Sequence, residues 1–423
     1  MIEILDDFEG ARIGSATITD GGREVHIELL KEVPVRADGI EHDYNLHFTF
    51  GIRNKADSNR TIRVRVGNGD RSRLAYDDPI LYASERPDQG YGRLAVEGKT
   101  DNYNTYDFDL PVPANGVTYV ANCYPRPLSV LSPLFDEIAD RGGAERRVYG
   151  QSIEGRELVV YEYRKPGHHR PMVLVSSGIH PPEPDTWATE SIMDHLSSDA
   201  ARALREIFDF AIAPVMNPDG YARGAQAANA AGVNFYWDFR HRDKKNCPEA
   251  VAFYEYAMKI KPVLYFDFHA YTFQKFKYAS PYCKPVAHYD GPEVRRLVCQ
   301  IDAALRAGVS NGRSMEGFVT YAPSTLGAKL TRSLNTITYA KYHIHMRDGE
   351  SRCREHAVKA ILTACDVLAS NGVVDSRRIL RRPYGHVRSS LKTRVIRRRD
   401  VLWSRYLYPR LGAVCGAVKR ALQ

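Results

Sequence analysis

From about residue 126 to 370, short apolar runs of strand length alternate with longer segments of helical periodicity. The strand-like runs are Leu158–Tyr163, Met172–Ser176, Phe208–Val215, Val263–Ala270 and Thr336–Ile344. The helical ones include Val130–Ala139, opened by Ser129 as a possible N-cap, and Asp185–Leu196, Glu249–Ile260, Glu293–Ala307 and Glu350–Ala369. Strands buried on both faces and separated by helices predict an α/β domain, with helices on both sides of a parallel or mixed sheet. In such sheets, ligands collect beyond the carboxyl ends of the strands.

The first 125 residues read differently. Ala16–Ile18, Glu24–Leu29, Tyr44–Ile52, Thr61–Val66, Tyr106–Leu110 and Val117–Asn122 are β-rich, and turn signals such as Asp20-Gly21-Gly22 divide them. This spacing predicts an antiparallel β-sandwich. The expected organisation is therefore a sandwich (1–125), an α/β/α mixed-sheet domain (126–372) and a C-terminal tail (373–423).

Charge separates that tail from the rest. The formal charge of +8 comes from 59 Lys and Arg against 51 Asp and Glu, but residues 376–423 hold fourteen of the bases and one acid, Asp400. The remainder is mildly acidic, which excludes a nucleic-acid binder that is basic throughout. Trp403, Leu407, Leu411, Val414, Val418 and Leu422 recur at helical spacing among the bases, so residues 376–423 are expected to form a basic amphipathic helix suited to an anionic membrane surface. No nucleic-acid recognition motif accompanies it. Seven scattered cysteines without a Cys-x-x-Cys pair suit a reducing compartment, and no signal-like or membrane-spanning run appears, so a cytoplasmic setting is expected.

The chemistry concentrates in two strand ends. The run Val173–Ser176 leads through Gly178-Ile179 into His180-Pro181-Pro182-Glu183, immediately before a helix. A second histidine, His269, lies near the end of Phe266-Asp267-Phe268-His269. Two imidazoles and a carboxylate make the ligand set of a catalytic zinc with one position left for water. Asp267 is a candidate to hold a ligand imidazole from behind.

Gly178-Ile179-His180-Pro181-x-Glu183, then Asn217-Pro218-Asp219-Gly220, then Gly232-Val233-Asn234, then strand-borne His269 resemble, in that order, the zinc metallocarboxypeptidases of the M14 type. Phe8-Glu9-Gly10, Asn45–Ile52, Tyr119–Pro125 and Gly150–Arg156 look like segments of the cytosolic carboxypeptidases, in which a sandwich precedes the peptidase domain. The resemblance implies zinc held by His180, Glu183 and His269, hydrolysis of amide bonds, Asn217 in the substrate pocket and Asn234 behind the metal.

It also shows where the chain departs from the pattern. Ala227 stands where the resemblance expects the oxyanion arginine, and Tyr236-Trp237 stands where it expects the Asn-Arg fork that grips a free C-terminus. A Trp cannot act as a bidentate carboxylate clamp. Ala340 fills the general-base Glu position. Arg223, Arg240 and Arg242 are candidate replacement cations, and Tyr321 a candidate substrate cap. For the missing base, Asp348, Glu350, His343 and His345 are candidates, with Glu350 favoured. On strict alternation His343 and His345 face away from Ala340, so only a bulge brings them to the metal. The alternatives left open are a zinc deacylase of a sugar or amino-acid amide, an introduced Glu→Ala change, and a zinc-binding protein without turnover. The expected partner is a peptide or an acylated small molecule or sugar.

Overall fold

The computed structural model describes residues 1–32, 35–37, 40–42, 47–67, 80–94, 99–101, 105–165, 170–236, 244–271, 289–309, 325–345 and 349–380. The basic segment beyond residue 380 lies outside them.

The N-terminal strands form two five-stranded sheets. One orders Ile2–Leu5, Thr49–Asn54, Val117–Ala121, Tyr82–Ser84 and Gly92–Arg93. The other orders Lys99–Asp101, Thr105–Val112, Arg60–Gly67, Glu24–Glu28 and Ser15–Thr19. Strand alternation builds the core: Ile62, Val64 and Val66 point inward with Phe108 and Leu110. On the outer face Arg63 and Arg65 stand opposite Asp109 and Asp107 and pair with them at 3.1 and 3.0 Å. One pairing corrects the antiparallel expectation: Glu24–Glu28 runs parallel to Arg60–Gly67. The chain between them visits the other sheet through Thr49–Asn54, and this crossover returns it in the same direction.

The second half is built on a six-stranded sheet in the order Glu145–Gln151, Glu157–Tyr163, Asp209–Ala213, Met172–Ser176, Leu264–Tyr271 and Ile337–His345. The first two contacts are antiparallel and the last three parallel. Helices Leu128–Gly142, Thr186–Ser197, Pro292–Gly308 and Glu350–Ser370 cover one face through Phe135, Ile192, Ile301 and Ile361. Pro248–Ile260 and Leu326–Leu334 cover the other through Phe253 and Leu330. Val373 and Ile379 are buried in the first of these cores.

The expected cap at Ser129 is displaced. Its helix starts at Leu128 behind Pro127, and the Ser129 amide donates to the Glu9 carboxylate at 3.2 Å. Several elements escape the sequence reading, two of them at an edge or on a face of the six-stranded sheet. Glu145–Gln151 is a polar, mostly exposed edge strand without an apolar run, and Leu326–Leu334 is a short helix capped by the Thr325 hydroxyl.

The sandwich and the α/β half meet at a polar seam. The buried Glu32 carboxylate pairs with Arg12 at 3.2 Å and accepts from the consecutive amides of Gln226, Ala227 and Ala228. Arg12 also donates to the Gly224 carbonyl at 3.2 Å. Beside it His47 is fully buried, and burial, with the Arg12 charge, pushes its pKa down to about 3. The folded ring is therefore neutral, while the unfolded chain takes up a proton near pH 6.5. Stability from this site is complete above that pH and falls as pH drops toward 3, by a few kcal/mol at about 1.36 kcal/mol per unit. Denaturant melts across this window should show the slope, and His47→Gln should flatten it.

Candidate metal centre

Strand Met172–Ser176 ends in a sharp turn that only glycine tolerates. Gly178 has φ +69°, and a Cβ there would lie 2.7 Å from the Pro214 carbonyl oxygen. The turn is tied from both sides: the Asn217 amide donates to the Gly178 carbonyl at 2.9 Å, and the Gly178 amide to Asp185 Oδ1 at 3.1 Å. The His180 carbonyl then accepts from the Glu183 amide at 3.0 Å, which turns both side chains the same way.

His180, Glu183 and His269 converge, with one donor atom from each within 4.8 Å of the others. Glu183 bridges the two rings, with Oε1 2.9 Å from His180 Nδ1 and Oε2 3.0 Å from His269 Nδ1. Glu183 Oε2 also accepts from the Ala270 amide at 2.9 Å. Each ring is held from behind by its other nitrogen: His180 Nε2 lies 3.3 Å from Asn234 Oδ1, and His269 Nε2 lies 3.4 Å from Asp267 Oδ2. Asp267 is itself fixed by the Ser176 hydroxyl at 2.8 Å. Two imidazole nitrogens facing one carboxylate, each ring backed by an oxygen acceptor, fit a zinc ion.

The electrostatics agree. Burial opposes charge on His269, but the carboxylates of Asp267 and Glu183 outweigh it and push its pKa up to about 10. Burial likewise opposes charge on Glu183, and the two histidines outweigh that, holding its carboxyl well below the usual range. Such a site favours positive charge, and a divalent cation satisfies Glu183 better than a proton. Asp267→Ala should therefore lower zinc affinity by about 10–100-fold, measured by chelator competition, with the fold retained.

The other sequence candidates divide. Tyr236 is buried in the site, its ring edge-on to His269 at 5.0 Å and to His180 at 5.9 Å. The fully buried Asn217 side chain accepts from the Gly220 amide and donates to the Ile179 and Ala228 carbonyls, and so shapes the turn. Arg223 is engaged by an acid. It pairs with Glu154, which also holds Arg156. Glu350 pairs with Arg354 at 2.7 Å, and Arg354 in turn pairs with Glu190, a polar contact that draws Glu350 toward the helix interface. Trp237, Arg240, Arg242, Tyr321 and Asp348 lie outside the described residues. Asp185 was missed in the sequence. Its signal is its place just before helix Thr186–Ser197, a position favoured by Asp, although here it holds the Gly178 amide instead of capping the helix.

The strand departs from strict alternation at a bulge. Phe266 pairs with Tyr339 but Phe268 pairs with Tyr342, so Asp267 faces both Ala340 and Lys341. Described side chains confirm the shift of face: Tyr339 stacks on Phe266 at 4.9 Å, and Tyr342 packs on Phe268 at 5.4 Å, on the same side of the sheet. Beyond the bulge, His343 occupies the register position beside His269.

A mixed sheet flanked by helices thus carries a His/Glu/His cluster at the carboxyl ends of two of its parallel strands, an α/β protein with a candidate metal centre. A profile of the zinc carboxypeptidase family, Peptidase M14, matches residues 136–346. The chain belongs to the M14 zinc carboxypeptidase family. It is 22% identical over 254 residues to an uncharacterized protein of Zymomonas mobilis, covering 59% of this chain and 62% of that protein. With human cytosolic carboxypeptidase 6 it shares 25% identity over 226 residues, 48% of this chain and 44% of the relative. The chain thus spans less than two thirds of either relative. A solved metallo-carboxypeptidase from Pseudomonas aeruginosa superposes with a TM-score of 0.73 over 87% of this chain and 99% of that one, at 17% identity, a likeness of fold. No described helix is long and apolar enough to cross a membrane.

Proposed function

We propose that the chain is a zinc-dependent hydrolase of amide bonds in peptide-like substrates, with His180, Glu183 and His269 as the metal ligands, and that it does not grip free C-termini. The convergence of the three donor atoms within 4.8 Å, each ring backed by an acceptor, carries this reading. Zinc would polarise the scissile carbonyl and acidify a water molecule. Asp267 and Asn234 hold the imidazoles so that both Nδ1 atoms face Glu183. Tyr236, in the place of the fork's asparagine, walls the cluster with an aromatic edge, and the next residue in sequence, Trp237, carries no guanidinium. The missing proton acceptor is assigned to His343, on the strength of its register position beside His269.

Turnover of matched peptides with free and amidated C-termini, with N-acetylated sugars as a third substrate class, tests the specificity. Peptides of the two kinds should react within about tenfold of each other, because no buried group is left unpaired by the amide. A preference for the free C-terminus of several orders of magnitude would contradict the proposal. Turnover confined to the sugars would move it to the deacylase reading.

A further inference from the structure

A basic cluster lies at the opposite end of strand Met172–Ser176 from His180 and Glu183. There Arg164 and Lys165 follow strand Glu157–Tyr163, Arg170 precedes Met172, and helix Arg202–Ile207 contributes Arg202, Arg205 and Glu206. These six residues line a cavity of about 230 Å³, below the roughly 300 Å³ at which small-molecule pockets begin, so the space suits a compact ligand.

The way the cations are held matters more than their number. Arg170 donates to the Arg205 carbonyl, and Arg205 Nη2 to the Ser198 carbonyl at 3.4 Å. Neutral carbonyls orient these guanidinium groups without cancelling their charge. Among the described residues, neither Arg170, Arg205 nor Lys165 forms an ion pair with a carboxylate, and the buried Nε of Arg205 has no hydrogen-bond partner. The acids nearby are otherwise engaged or weakened. Glu162 and Asp199 pair with Arg164 and Arg202, and burial pushes the Asp209 carboxyl upward against the attraction of Arg164 and Arg170, with which it forms no ion pair among the described residues. Glu206 alone adds a rim carboxylate to the lining. Two oriented guanidinium forks with unused N–H groups match the oxygens of a phosphate.

We propose that this cavity binds a compact, multivalent oxyanion of the phosphate class, at a site separate from the metal centre. Titration calorimetry of the full chain with inorganic pyrophosphate tests it. Binding should weaken as salt is raised. It should fall by about tenfold or more in Arg170→Gln/Arg205→Gln, where oriented donors are lost, and in Lys165→Glu/Arg202→Glu, where charge is reversed. The second pair is exposed, so it keeps the test valid if the first fails to fold. Vesicles of phosphatidylcholine with phosphatidylinositol 4-phosphate distinguish the source. Vesicle binding lost in the same variants supports a lipid-borne phosphate, and pyrophosphate binding alone supports a soluble one. No pyrophosphate binding, or binding that survives all four substitutions and vanishes when zinc is chelated, would overturn the proposal.

Discussion

Glu183→Gln is expected to abolish stoichiometric zinc binding and, with it, all amide hydrolysis. The carboxylate is the hub of the cluster, since its two oxygens meet one nitrogen of each histidine. A neutral amide offers one oxygen and one N–H₂, so one of the two imidazoles must face a donor. It also removes the negative charge that, with Asp267, raises His269 and that would offset a divalent ion. Loss of an outer hydrogen-bond partner typically costs about 10–100-fold in metal affinity, and loss of a ligand should exceed that. Equilibrium dialysis with zinc and circular dichroism on the same samples would separate loss of metal from loss of fold. Zinc retained at one equivalent by Glu183→Gln would contradict the ligand assignment.

His343→Ala is expected to lower kcat by about 10²–10⁴ while zinc content stays at the wild-type level, the range associated with removing a positioned general base. Strand parity sets this expectation. Without the bulge, residues three apart would face opposite sides of the sheet, and His343 would fall among the aromatic residues of the first core. With Ala340 and Lys341 together opposite Asp267, Tyr342 takes that aromatic position and His343 holds the register position beside His269. An unchanged kcat in His343→Ala, together with a large gain in Ala340→Glu, would show that the chain lacks a working base and needs the carboxylate restored.

These two residues also mark how far the sequence could be read. The cluster of His180, Glu183 and His269 was legible because chemistry and local context coincide: the three residues sit at or just past the ends of apolar strands. Strand Met172–Ser176 has the boundaries its apolar run suggests, because every residue in it is buried. The edge strand Glu145–Gln151 was illegible for the opposite reason, since its mostly exposed side chains carry no period. The bulge at Ala340-Lys341 was foreseen only as a condition. Neither residue type marks one, and only pairing with the neighbouring strand reveals it. Long-range polar contacts were hidden altogether. Nothing near Glu32 announces that its carboxylate gathers three amides about 195 residues away, beside the position where an oxyanion arginine was expected. Arg223 likewise looked available until Glu154 was seen to hold it.

The most direct test of a zinc amide hydrolase with a displaced base is turnover of an amide substrate panel by the wild-type chain, before and after zinc removal. Hydrolysis that disappears with chelation, returns with one equivalent of zinc and is absent in Glu183→Gln is the predicted result. One equivalent of bound zinc with no turnover of any amide, unrescued by Ala340→Glu, would contradict it and leave a metal-binding protein.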